Sequence, residues 1–228
     1  MAERAPRVGV VDSGLPEALA ARVVAARAFV AGPEGGASGT VVADRLGHGS
    51  AIAGIIAGLA PQAHLLNAQV FGERLATTPS RIATAIDWLV DEGAELINLS
   101  LGLAREHPAL AHACERALAA GVVLCAATPA RGGPVWPAAI PGVLRMTGDA
   151  RCAVEEISHL ATVQADFGGH VRAPAGVGPS VIAGASVGCA HLSGHIARLL
   201  SVRPANLAEV RARLVAQARY HGPERRTG

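Results

Sequence analysis

Three short stretches place a reactive polar side chain among glycines at the border of an apolar run. They are Val10-Val11-Asp12-Ser13-Gly14, Gly47-His48-Gly49-Ser50-Ala51 and Gly184-Ala185-Ser186-Val187-Gly188. A carboxylate, an imidazole and a hydroxyl supply an orienting group, a general base and a nucleophile, the set that acyl transfer requires. Each also has a plainer reading. A strand-end aspartate caps turns, a serine opening a helix is a common N-cap, and a histidine beside glycines can simply be packed.

Other chemistries are poorly supported. All twenty basic side chains are arginine. Without lysine there is no Schiff-base amine, no phosphate-loop lysine and no Ser-Lys pair. His191 and His195 lie one helical turn apart, but no third metal ligand is near them in sequence, so they read as packed residues. No two of Cys114, Cys125, Cys152 and Cys189 have metal-ligand spacing, and the four are expected as free, mostly buried thiols. Neither a metal nor a cofactor is expected.

The elements that must carry these residues follow from periodicity. Short apolar runs at Val8 to Val11, Leu65 to Val70, Leu96 to Leu99, Val122 to Ala126 and Val143 to Met146 read as buried parallel strands. Between them, Thr78-Pro79-Ser80 and Pro108 open segments of helical period that stop at Gly93 and Gly121. Ala185 to Leu200 reads as a largely apolar helix, and an amphipathic one follows through about Gln217. This is an α/β pattern in one domain, residues 1–221, with 222–228 as a flexible tail.

A formal charge of +2, with arginines scattered from Arg4 to Arg226, gives no footprint for nucleic acid. The longest apolar stretch, Ala51 to Ala60, is far short of the roughly 18 residues of a spanning helix, so no membrane is expected. The opening residues lack a secretory pattern, and a cytoplasmic protein is expected.

Taken together and in the order Asp, His, Ser, the three motifs resemble the subtilisin-like (S8) serine peptidase family over nearly the whole chain. Leu96-Ile97-Asn98-Leu99-Ser100-Leu101-Gly102 is similar to the family's Ile-Asn-Met-Ser-Leu-Gly strand. Trp136-Pro137-Ala138 resembles its Tyr-Pro-Ala segment, Val171-Arg172-Ala173-Pro174-Ala175-Gly176-Val177 its Val-Ala-Pro-Gly-Val, and Ala57-Gly58-Leu59-Ala60-Pro61-Gln62-Ala63 its Gly-Val-Ala-Pro-Asn-Ala. The resemblance implies a three-layer α/β/α fold with a mainly parallel central sheet. It implies Ser186 as nucleophile, His48 as general base and Asp12 as the group that orients it. Ser100-Leu101-Gly102 would be a strand edge for an extended peptide, with Ala127 and Pro129 in the adjoining substrate-binding loop. The short run after the histidine helix leaves little room for the family's calcium loop, so no calcium is expected there.

The chain also departs from that pattern. The family's strand ending Ala-Ala-Gly is followed by an asparagine that donates to the oxyanion, and counting from Gly121 that position falls on Ala130. Ala185 and Ala190 replace a threonine and a proline near the nucleophile. The oxyanion region would then comprise the Ser186 N–H with Thr128, Arg131 or a backbone N–H near Ala130, and Pro129 has no N–H to give. Gly184-Ala185-Ser186-Val187-Gly188 also fits the nucleophile elbow of α/β-hydrolases, but only Glu209 and His221 could then supply the later acid and base, in too short a tail. With eleven residues before Asp12, no folding propeptide is expected. The expected function is peptide-bond hydrolysis on a peptide or protein substrate, such as leader removal from a small precursor beside a peptide-modifying enzyme. The alternative is an impaired relative that binds peptide as a scaffold.

Overall fold

The computed structural model describes residues 4–30, 39–173 and 182–224. Among the described residues nine strands form one sheet: β1 (Arg7–Asp12), β2 (Val23–Ala28), β3 (His64–Gln69), β4 (Leu96–Leu99), β5 (Val123–Ala127), β6 (Leu144–Gly148), β7 (Ile157–His159), β8 (Phe167–Gly169) and β9 (Tyr220–His221). Their order is β2-β3-β1-β4-β5-β6-β8-β7-β9. All neighbours are parallel except β7 and β8. The helices are α1 (His48–Leu59), α2 (Pro79–Asp91), α3 (Pro108–Ala119), α4 (Ala185–Val202) and α5 (Leu207–Gln217).

The strands alternate their side chains between two cores, as the two-residue period of a pleated strand requires. Val8 and Val10, Leu65, Leu96, Val123 and Cys125 face α1, α4 and α5. Val11, Leu66, Ile97, Leu124 and Ala126 face α2 and α3. A sheet apolar on both faces needs helices on both, and the result is the expected three-layer α/β/α architecture.

Helix boundaries follow local chemistry. Thr78 caps α2 by accepting the Arg81 N–H, and Pro79 occupies its first turn. Asn206 and Glu209 close a capping box on α5. At the far end of α1, the Arg22 guanidinium donates to the carbonyls of Ala57, Ala60 and Ala63 at 2.5–3.2 Å. Ala57 is in the last turn of α1, whose carbonyls lack partners within the helix, and Ala60 and Ala63 are in the turn that follows.

Four strands escape the sequence reading. β2 is a sheet-edge strand largely accessible to solvent, β7 and β8 span only three residues each, and β9 spans two. β9 lies at the expected end of the domain: Tyr220–His221 pairs with β7, and Gly222, the first residue of the expected tail, donates its N–H to His159 O at 2.9 Å and accepts from Arg151 at 2.8 Å. Residues 225–228 of that tail lie outside the described residues, as do 174–177 of the Val171–Val177 motif. The four cysteines are free and buried. Among the described residues no helix is long and apolar enough to cross a membrane.

Candidate active site

Asp12 ends β1, and His48 is the first residue of α1. Both Asp12 oxygens lie against His48 Nδ1, at 2.8 and 2.9 Å. The Asp12 side chain is fully buried, whereas the His48 side chain keeps 13% exposure. This contact needs α1 to butt against the turn after β1. A Cβ on Gly49 would stand 2.2 Å from the Gly14 carbonyl oxygen, so only glycine permits the approach. The carboxylate also accepts the Ser13 N–H at 2.8 Å, and Ser13 Oγ accepts the Gly49 N–H at 2.9 Å.

The bond to Asp12 selects the tautomer with hydrogen on Nδ1, which leaves Nε2 as an acceptor. Burial lowers the basicity of the imidazole. The hydrogen bond and charge of Asp12, joined by the charge of Asp44, outweigh it, and the His48 pKa rises above its ordinary value.

Ser186 occupies the second position of α4, where a backbone N–H has no partner within the helix. The front of α4 lies on β6, and a Cβ on Gly188 would meet Thr147 O at 2.2 Å. Ser186 and Ser100 are linked twice. The Ser186 hydroxyl donates to Ser100 O, and the Ser100 hydroxyl donates to Ser186 O, both at 3.1 Å. Ser100 Oγ accepts from Asn98 Nδ2 at 3.0 Å, while Asn98 Oδ1 accepts from Ser193 Oγ at 3.0 Å and Cys189 Sγ at 3.4 Å. Sequence reading did not single out Asn98 beyond its strand, because its role depends on α4 packing across that strand.

His48 and Ser186 open into one cavity of about 330 Å³, walled by Ser100, Leu101, Gly102, Leu103, Phe71, Leu75, Ala76, Thr77 and Ile82. The structure therefore brings together His48, Ser186 and the Ser100–Gly102 edge, with Asp12 behind the histidine. The adjoining loop stands apart. Ala127, Thr128, Pro129 and Ala130 line none of this cavity. Thr128 faces a second cavity of about 440 Å³ with Val135, Arg145 and Asp166, and Ala130 a third of about 280 Å³ with Arg131 and Thr147. The Thr128 N–H is engaged by Met146 O at 2.8 Å, which extends the β5–β6 ladder.

His191 and His195 are both buried within α4. Among the described residues no group of three or more His, Cys, Asp or Glu side chains is placed to hold an ion. His195 Nε2 lies 3.3 Å from Val154 O, and His191 is buried against the His170 ring at 5.2 Å between centroids.

Comparison with known proteins reaches the same fold. The model of the subtilase family, Peptidase S8, matches residues 3–144. The chain belongs to the subtilase family. The matched span holds Asp12, His48 and Ser100–Gly102, and Ser186 lies beyond it. Subtilisin DY from Bacillus licheniformis is 31% identical over 131 residues, which cover 53% of this chain and 46% of that protein. Subtilisin NAT from Bacillus subtilis subsp. natto is 27% identical over 199 residues, covering 78% of this chain and 52% of its own. The chain thus aligns to about half the length of these relatives. Among solved structures, a cold adapted subtilisin-like serine proteinase superposes with a TM-score of 0.72 at 19% identity, over 95% of this chain and 85% of that one. At that identity the superposition establishes the subtilase fold.

Proposed function

We propose that this subtilase is a serine endopeptidase in which Ser186 is the nucleophile, His48 the general base and Asp12 its orienting carboxylate. The observation that carries the reading is the buried two-oxygen contact of Asp12 on His48 Nδ1, which leaves the ring's other nitrogen free at a cavity shared with Ser186.

An extended peptide adds to the Ser100–Gly102 edge, and its apolar side chains enter the space between Phe71, Ile82, Leu101 and Leu103. Ser186 Oγ turns from the Ser100 carbonyl toward His48 Nε2, gives up its proton and bonds to the scissile carbonyl carbon. His48 returns that proton to the leaving amine as the C–N bond breaks. Water, deprotonated in turn by His48, then releases the acyl group from Ser186. The Ser186 N–H donates to the oxyanion, and the region of Thr128 and Ala130 supplies no side-chain amide. One missing donor costs about 10²–10³ in turnover. Such a rate suits a narrow task, and we place this chain in the cytoplasm, trimming a small precursor peptide beside the enzyme that modifies it.

The second reading, a peptide-binding scaffold without useful turnover, draws support from the Ser186 hydroxyl being bonded to Ser100 rather than His48. A fluorophosphonate probe separates the two. The peptidase labels at Ser186 near neutral pH, labelling falls as His48 protonates, and Ser186→Ala abolishes both labelling and peptide cleavage while the fold persists. A folded wild-type sample that never labels belongs to the scaffold.

A further inference from the structure

The front of α1 is fastened from outside the helix. Its N-cap residue, Gly47, has no side chain with which to accept an N–H. The acceptors come instead from Asp44, three residues upstream. Asp44 Oδ1 accepts the N–H groups of Leu46 at 3.1 Å and Gly47 at 2.8 Å. Asp44 Oδ2 accepts the Ser50 N–H at 2.8 Å and the Ser50 hydroxyl at 2.7 Å. With Ser13 holding the Gly49 N–H, the amides on both sides of His48 are pinned, one set by Asp44 and the other by Ser13.

We propose that Asp44 is a positioning residue of this site, fastening the first turn of α1 so that the His48 ring meets Asp12 on one side and the Ser186 cavity on the other. This rests on the assignment of His48 as the base. Asp44 touches neither the ring nor the cavity, so its effect passes through the helix backbone and through its charge.

The charge has a direction. The ionised groups acting on His48 are Asp12 at the end of β1 and Asp44 ahead of α1. The cavity residues facing it from β4 and α2 and from their flanking loops are uncharged. Arg45 and Glu73 pair with each other at 3.0 Å, both side chains largely exposed. Both carboxylates favour the imidazolium, and Asp44 is itself held in its ionised form: burial opposes this, but the hydrogen bonds from Ser50 and Gly47 prevail. Removing the Asp44 charge makes His48 easier to deprotonate, while removing its acceptors loosens the ring.

The test uses two readouts on the full chain. One is an NMR titration of the His48 ring, which needs no activity, and the other is the pH profile of fluorophosphonate labelling at Ser186. Asp44→Asn moves the His48 midpoint to lower pH and lowers the labelling plateau by about ten- to a hundred-fold, the scale of loss that small misplacement of a catalytic group produces. Ser50→Ala keeps the carboxylate, so the midpoint stays where it is in the wild type. Asp44→Ser retains a neutral cap and serves if the asparagine variant does not fold. A His48 midpoint unmoved in a folded Asp44→Asn or Asp44→Ser variant overturns the electrostatic role, and an unchanged plateau overturns the positioning role. If the wild type never labels while the midpoint still shifts, the peptidase reading fails and the link between Asp44 and His48 stands.

Discussion

The fronts of α1 and α4 meet at one cavity but are secured by different chemistry. At α1 every fastening runs to a carboxylate or to a serine bonded to one: Asp12 on the ring, Asp44 on the amides, Ser13 between them. At α4 the fastenings are neutral, from Ser100, Asn98, Ser193 and Cys189. Charged hydrogen bonds are roughly twice as strong as neutral ones. The proposed base is thus held rigidly and its proton affinity tuned, whereas the proposed nucleophile sits in a network whose hydroxyls can exchange partners. A base must keep one tautomer through the cycle, and a nucleophile must change its bond.

The largest break in this contrast comes from Asp12→Asn. The variant preserves shape but lets the ring adopt the other tautomer, and cleavage or labelling falls about 10⁴-fold with thermal stability little changed. A pH titration probes the neutral side, where His191 lies on α4. Burial pushes its pKa down to about 4, against an opposing backbone contact with Arg172. The unfolded chain therefore takes up this proton first. The contribution is complete above about pH 6.5 and is lost as pH falls toward 4, a loss on the order of 3 kcal/mol. On acidification over that range the wild-type denaturant midpoint should fall relative to that of His191→Leu, and parallel curves would place the acid sensitivity elsewhere. Asn98→Ala leaves the Ser193 and Ser100 hydroxyls short of a partner and should cost roughly 1–3 kcal/mol, read from chemical denaturation. It should not move the acid limb of labelling, because no charge has changed.

Much of this arrangement was legible in the chain. Strand and helix positions for β1, β3, β4, β5 and β6 and for α2 to α4 follow from apolar period and from Pro and Gly punctuation, which are local signals. The residues at the ends of β1, α1 and α4 stood out because glycine beside a polar group marks close backbone approach, and Gly49 and Gly188 make that approach. Asp44 went unnoticed, although aspartate three residues before a helix N-cap is a capping type of signal. Its meaning depended on Gly47 being the cap, which sequence does not specify. The Thr128–Ala130 loop was read by counting along the chain, and counting carries no information about which cavity a loop turns toward.

Arg22 and Asp44 belong to none of the motifs, yet they stand at opposite ends of the same helix. The aligned peptide dipoles of α1 leave partial positive charge at His48 and partial negative charge at Leu59. An anion sits at the first end and a permanent cation at the second. The helix that carries the proposed base is thus a unit whose dipole is opposed at both ends by charges of the chain itself. Asp44 and Arg22 are both partly sheltered from solvent, so added salt should disturb this unit less than it disturbs the ion pairs on the open surface.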